Sequence, residues 1–227
     1  MSNDKTPIAI VTGGSSGIGG AIVHRIAASG GEPVVWSRRT GVDVTDGIAV
    51  QQAMASVVAA HGRVDAVINN AGVAMTGGIS SMPLDQWGQM MSVNLFGAIN
   101  VARAVIPVMR SQRYGKIINI ASTSGIGSRP GWAGYAASKA AMISFSQAMS
   151  DELRPYGIRT YCLCPGRTNT DLRRALVPQG EDPNTLMSPE AVADVVLFCL
   201  STEGNTIEGQ PILVRERFGE GEDKCLR

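Results

Sequence analysis

The sequence predicts an α/β fold: a doubly wound parallel sheet, shortened after its second strand, with helices on both faces. Three observations predict it. Short apolar, β-branched runs alternate with helical patterns along nearly all 227 residues. Each run is apolar at consecutive positions, as strands buried on both faces require. The first run ends in a glycine-rich turn that opens a helix, the signature of a strand–turn–helix unit.

The elements follow in order. A strand over 8–11 (IAIV) leads into VTGGSSGIGG and a helix over 17–28. A second strand spans 33–36. Only six residues then separate Trp36 from Asp43, and a parallel crossover needs about a dozen. No helix fits there, any strand over 41–44 is rudimentary, and one edge of the sheet is clipped. Helices are expected over 48–60, 84–109, 134–156 and 189–200. Strands are expected over 64–68, 116–120, 159–163 and 211–214. The segment 170–188, rich in Pro, Asn, Asp and Arg, reads as a loop with room for a short helix. The tail after Phe218 is expected to fray or drape.

Bulk properties bound the function. Hydrophobic residues make up 44% and charged residues 17%, enough for one core and against disorder. The chain reads as a single domain over 1–227, with its core at about 7–214 and a tail at 215–227. A net charge of +1 gives no electrostatic ground for nucleic acid or an anionic membrane as partner. No unbroken apolar run reaches the roughly 18 residues of a spanning helix, and the N-terminus is polar. Cys162, Cys164, Cys199 and Cys225 form no CxxC pair and have no histidine nearby, which argues against a disulfide framework or a metal site and for a reducing, cytoplasmic setting.

Glycine in VTGGSSGIGG is costly in chain entropy and must answer a need. A strand ending in a glycine turn before a helix presents backbone N–H groups and the helix dipole to an anion. Gly13, Ser15, Ser16, Gly17, Ile18 and Gly19 form that candidate phosphate cradle. The TGxxxGxG spacing is neither GxGxxG nor a P-loop, so taken alone it also fits a turn that simply packs a helix on its strand.

The glycine turn is the first of an ordered series: NNAG at 69–72, SVNLFG at 92–97, Ser122, YAASK at 135–139 and PGRTNT at 165–170. The series resembles the short-chain dehydrogenase/reductase family of the Tyr-x-x-x-Lys type, from about residue 7 to 214. The resemblance implies a Rossmann-type NAD(P)-binding domain and hydride transfer between nicotinamide and a carbonyl or secondary alcohol, as in a ketoreductase. It implies that Asn94, Ser122, Tyr135 and Lys139 are catalytic. Tyr135 and Lys139 share a helix face at i and i+4, an arrangement that alone would be an ordinary amphipathic margin. A phenol with a pKa near 10 exchanges protons poorly at neutral pH, and a nearby cation favours phenolate. Lys139 is therefore expected to lower the pKa of Tyr135 and to hold the nicotinamide ribose, with Tyr135 the general acid/base. Ser122 would bond the substrate oxygen. Asn94 would sit at a helix kink and hold a water that links Lys139 to bulk.

The resemblance also implies cofactor contacts from Asp43 and Val44, from Asn70, Ala71 and Gly72, and from Pro165, Gly166 and either Thr168 or Thr170. No carboxylate stands at Ser37, where NAD-specific relatives carry one, and Arg38 and Arg39 follow. Guanidinium groups suit a 2′-phosphate, so NADP(H) is favoured and NAD(H) is the alternative, strengthened if the clipped connection brings Asp43 near the ribose. Arg173, Arg174 and Leu176 are candidate substrate contacts; the arginines hint at an anionic substrate, although a solvated loop is the plainer reading. Trp132 is core or a wall of the substrate cleft. His24 and His61 read as surface or boundary residues, and Met90, Met91, Met142 and Met149 as gap-filling. The implied partners are a small-molecule carbonyl or alcohol and a second copy of the chain, as a homodimer or homotetramer. The C-terminal PILVRERF departs from the family's Val-Asp-Gly-Gly and weakens the tetramer. The competing functions are an NAD-dependent alcohol or dihydrodiol dehydrogenase and a dinucleotide-binding sensor without turnover.

Overall fold

A computed structural model describes residues 6–177 and 180–215. The tail expected to fray after Phe218, and Cys225 with it, lies outside the described residues. Six parallel strands form one sheet in the order β2-β1-β3-β4-β5-β6: β1 (Ile8–Thr12), β2 (Glu32–Trp36), β3 (Ala66–Asn69), β4 (Gly115–Ile120), β5 (Ile158–Pro165) and β6 (Pro211–Val214). Alternate side chains point to opposite faces and fill two cores. Ile8, Ile10, Val67 and Ile117 meet α2 (Gly47–His61), α4 (Gly97–Gln112) and α5 (Ala133–Leu153). Ala9, Val11, Ile68 and Ile118 meet α1 (Gly17–Ala28) and α7 (Pro189–Leu200). This two-sided burial is why the strands read as unbroken apolar runs rather than as alternation.

The clipped edge is as expected. The chain leaves β2 into one 3₁₀ turn, Arg38–Thr40, closed by a capping box between Ser37 and Thr40 and by Gly41 at φ +84°, a left-handed conformation that glycine adopts without strain. β2 is therefore an outer strand. Glu32 N donates to Pro7 O and Trp36 O accepts from Gly13 N, so these residues face β1 while Pro33 and Val35 face outward. The Thr40 hydroxyl folds back and shares its one hydrogen between Val35 O and Ser37 O, each at 3.0 Å.

One expected element is divided. The helix predicted over 84–109 begins as α3 (Leu84–Met91), passes through a π-helical turn at Ser92–Phe96 and continues as α4. The π turn inserts one residue into the helical register, and it aims Asn94, fully buried, inward. The whole stretch Leu84–Gln112 is long and apolar enough to cross a bilayer, but Val101, Val105 and Met109 are buried on the sheet. The loop over 170–188 contains the short helix α6 (Asp171–Leu176). Lys116 behaves as more than a strand residue: its Nζ donates to the carbonyls of Cys199, Leu200 and Ser201 at 2.9, 3.0 and 2.5 Å, closing the C-terminus of α7.

Candidate active site

The cleft opens at the C-terminal ends of β1, β2 and β3, where open α/β sheets place ligands. It encloses about 720 Å³. Its floor is the glycine turn. Gly13 and Gly17 adopt φ +65° and +53°. A Cβ on Gly13 would stand 2.9 Å from Ala71 Cα, and one on Gly19 would stand 2.2 Å from Gly13 O. Gly13 and Gly19 thus let turn, helix and the 70–72 segment close together, while Gly17 faces Thr170, whose Cγ2 is 3.3 Å from the position of a Gly17 Cβ. Ser16 caps α1 without using its side chain, and the first turn of α1 holds no acidic residue, which leaves the positive helix end to a ligand. Gly13, Ser15, Ser16, Gly17 and Ile18 line the cleft; Gly19 does not.

Asn70 ties the cradle to β3. Its Nδ2 donates to Thr12 O and Gly13 O at 3.0 and 3.2 Å, and Thr12 Oγ1 accepts from the Asn70 and Ala71 amides at 3.0 Å each. Ala71, Gly72 and Val73 continue the wall. At the β2 end, Ser37, Arg38, Asp43 and Val44 all line the cleft, together with Arg39, Val42 and Thr45. Ser15 Oγ donates to Ser37 Oγ at 2.7 Å and bridges cradle to strand end. Asp43 accepts from the Thr45 amide and hydroxyl, and these bonds, helped by the Arg38 guanidinium, hold its carboxyl below the usual range. Arg38 and Arg39 are exposed at the rim.

The two threonines separate. Thr168 is buried, donates to Gly166 O at 3.1 Å and pairs with Met187. Thr170 lines the cleft and caps α6 by accepting from Arg173 N at 3.2 Å. Pro165 ends β5, and Gly166 N donates to Val214 O, so both turn the chain beside β6 without lining this cleft.

Beyond Gly72 lie the titratable groups. A Cβ on Gly72 would stand 3.3 Å from Asn94 Oδ1 and 3.6 Å from Lys139 Nζ. Asn94 grips Val73 both ways, accepting from its N at 2.8 Å and donating to its O at 2.9 Å, and its second N–H reaches Ser138 Oγ at 2.9 Å. Lys139 donates to Ile120 O at 2.8 Å, with Nζ 5.9 Å from the centre of the Tyr135 ring. Burial lowers the Lys139 pKa to about 8. Ser122 follows β4, accepts from Ser124 N at 3.1 Å and lies near the Tyr135 phenol. The electrostatics differ from expectation: burial pushes the Tyr135 phenol up, opposed by the nearby Ser122 hydroxyl and the Arg173 charge, while the Lys139 ammonium is turned to Ile120 O.

Sequence reasoning missed a polar ladder behind these groups, in which Asn69 Nδ2 donates to Asn119 Oδ1 and Asn119 Nδ2 donates to Ser146 Oγ, at 2.8 and 2.9 Å. Its signal was the asparagine inside each of two apolar strands. Among the described residues no group of His, Cys, Asp and Glu could hold a metal, and Cys162, Cys164 and Cys199 are free and buried.

A doubly wound sheet and a glycine cradle at its C-terminal edge, with a tyrosine–lysine pair behind the Gly72 wall, define an α/β protein of the nucleotide-binding class. The chain belongs to the short chain dehydrogenase family, whose model matches residues 38–181. It is 33% identical to a 3-oxoacyl-[acyl-carrier-protein] reductase FabG of Chlamydia muridarum, over 91% of this chain and 94% of that one. It is 32% identical to an acetoacetyl-CoA reductase of Shinella zoogloeoides, over 90% and 95%. A 3-ketoacyl-(acyl-carrier-protein) reductase from Brucella melitensis, solved in complex with NADH, superposes with a TM-score of 0.85 at 25% identity, over 92% and 96% of the two chains.

Proposed function

We propose that the protein is an NADP(H)-dependent oxidoreductase of the ketoreductase kind, interconverting a carbonyl and a secondary alcohol. The observation that carries this reading is a cleft with a glycine cradle in its floor whose wall residue Gly72 backs directly onto Asn94 and Lys139. The relatives named as reductases support it. The residues present fit a dinucleotide: the cradle is closed to side chains at Gly13 and Gly19, and the cleft runs from there to the β2 rim. Gly13, Ser15, Ser16, Gly17 and Ile18 would hold the phosphates, Arg38 a 2′-phosphate, Asp43 and Val44 the adenine, with Asn70, Ala71 and Gly72 supporting the adenine side, and Thr170 the nicotinamide. Gly19, Pro165, Gly166 and Thr168 shape these contacts from behind. NADP(H) is preferred because a cationic rim residue, not a carboxylate, follows Ser37; NAD(H) is the alternative.

A bound nicotinamide supplies the hydride that the carbonyl carbon receives. The chain handles the proton. A Tyr135 phenol held above its ordinary pKa stays protonated at neutral pH and can donate to the substrate oxygen, which suits reduction. Ser122 Oγ, near that phenol, would steady the same oxygen. Lys139 would hold the ribose, and its charge would favour the phenolate once the proton leaves. Asn94 fixes Val73 and so the wall between cleft and lysine. Only 33% of the apolar window within Leu84–Gln112 is buried, and Phe96 and Leu84 are exposed, which supports a homodimer or homotetramer built on this face and α5. Free buried cysteines accord with a cytoplasmic setting.

The test is NADPH oxidation with a panel of ketones. Tyr135→Phe should lower kcat by about 10²–10⁴-fold while NADPH binding, followed by fluorescence, persists. Turnover unaffected by the substitution rejects Tyr135 as the acid.

A further inference from the structure

The charged groups beyond Tyr135 form a cluster that proton transfer does not use. The Arg173 side chain is only 12% exposed. Its Nε donates to Glu181 Oε2 at 2.6 Å and its Nη2 to Glu181 Oε1 at 2.5 Å, a two-pronged grip on a planar carboxylate. The guanidinium carbon lies 5.4 Å from the centre of the Trp132 ring, and Trp132 meets Tyr135 edge-on, with centroids 5.9 Å apart and planes at 72°. Arg129 stacks on the same indole at 4.3 Å. Arg167 Nη1 stands 3.7 Å from Glu181 Oε1.

Three guanidinium groups thus gather around one carboxylate beside the proton donor. Their joint field holds the Glu181 carboxyl below the usual range, with Arg173 the largest cause, and the Arg173 charge also reaches the Tyr135 phenol. Desolvating an ion pair costs free energy that its attraction repays only in good geometry, so this pairing is weak evidence for a stability role. Its place is more telling. Glu181 comes from a loop eight residues on, and Arg167 remains within reach of it if it leaves Arg173.

We propose that Arg173 is the carboxylate-recognising residue of the substrate site: the substrates are keto acids, or hydroxy acids in reverse, whose carboxylate takes the place of Glu181 on the Arg173 fork. The fork selects a planar, two-oxygen anion. Trp132 forms the wall along which the carbon chain runs from Arg173 towards Tyr135. This deepens the oxidoreductase reading above and rests on it.

The test pairs keto acids with their methyl esters. Three linear acids, with carbonyl and carboxylate separated by no, one or two methylenes, are assayed with NADPH. For at least one, kcat/KM should exceed that of its ester by about 10- to 100-fold. Arg173→Gln should bring that ratio towards one, and Arg173→Lys, which keeps the charge but not the fork, should restore only part of it. Glu181→Gln, which removes the competing carboxylate, should lower KM for the acid more than for the ester. Esters turned over as well as acids, or a ratio untouched by Arg173→Gln, overturns the proposal and leaves the oxidoreductase reading standing. If neither acids nor esters turn over, the ketone panel decides the oxidoreductase reading and binding decides the recognition. Saturable quenching of tryptophan fluorescence by a keto acid, lost in Arg173→Gln and in Trp132→Phe, then supports it, and no saturable quenching in the wild type overturns it.

Discussion

The two halves of the site are built from different material. Against β1 and β3, closure is against backbone: Gly13 on Ala71, Gly19 on Gly13 O, and the Asn70 amide spanning two backbone carbonyls. Over β4 and β5, behind the Gly72 wall of the cleft, the groups are side chains held by charge and hydrogen bonds: Lys139 on Ile120 O and Arg173 on Glu181, with Tyr135 near Ser122. A backbone wall tolerates no added atoms, because its contacts cannot turn aside. A side-chain wall tolerates replacement but changes its chemistry. The first half should fail by loss of fit and the second by loss of rate or of pH range.

Neighbouring glycines break this comparison most sharply. Gly19→Ala places a methyl 2.2 Å from Gly13 O and should cost at least about 3 kcal/mol, since overpacking against backbone cannot relax through a rotamer. Thermal melting and NADPH titration should both register it. Gly20→Ala, whose methyl would come no nearer than 3.9 Å to atoms beyond its own helical turn, should instead stabilise α1 by about 0.5–1 kcal/mol and leave binding intact. Equal losses at both positions would show that the cradle does not depend on close approach.

Arg38 is the side-chain exception in the backbone half. Arg38→Ala should weaken NADPH binding by about 10- to 100-fold, the scale of a charge-assisted bond, and change NADH binding by a few-fold at most. Parallel titrations check this, and equal effects on the two cofactors would remove Arg38 from 2′-phosphate recognition.

The smallest expected effect is a pH limb. Lys139 titrates near 8 because it is buried, so ketone reduction should decline as pH rises through about 8 and the ammonium is lost. Lys139→Arg, whose charge persists, should move that decline upward. Stability runs the other way. With the folded pKa below the unfolded value, the unfolded chain holds more protons between about pH 8 and 10.5, so this group's contribution to stability rises with pH across that window. Melts of wild type and Lys139→Met at both ends of the window separate the two trends.

The same division explains what the sequence could disclose. The six strands, the clipped connection after Trp36 and the cradle were legible, because burial on both faces and backbone closure write themselves as apolar runs and glycine spacing. The break at Ser92–Phe96 was legible only through the resemblance, which put Asn94 at a helix kink: a π turn adds one residue to the register and leaves the apolar pattern of SVNLF unchanged, so periodicity ran one helix through it. The orientation of Lys139 was also hidden, because spacing on a helix reports a shared face and not the carbonyl an ammonium will choose. Thr168 and Thr170 were indistinguishable until β6 and Met187 were in place. Arg173–Glu181, Lys116 on the end of α7 and the Asn69–Asn119–Ser146 ladder join residues that no local pattern relates.

Losing a strand and helix beside β2 exposes an outer strand, and such edges invite foreign strands to add on. Here the invitation is withdrawn. Pro33 faces outward without an amide hydrogen, and the outward carbonyl of Val35 is taken by Thr40. The abbreviated sheet is thereby guarded at its edge by the same six-residue detour that shortened it, and a Pro33→Val, Thr40→Val pair should raise its tendency to add foreign strands.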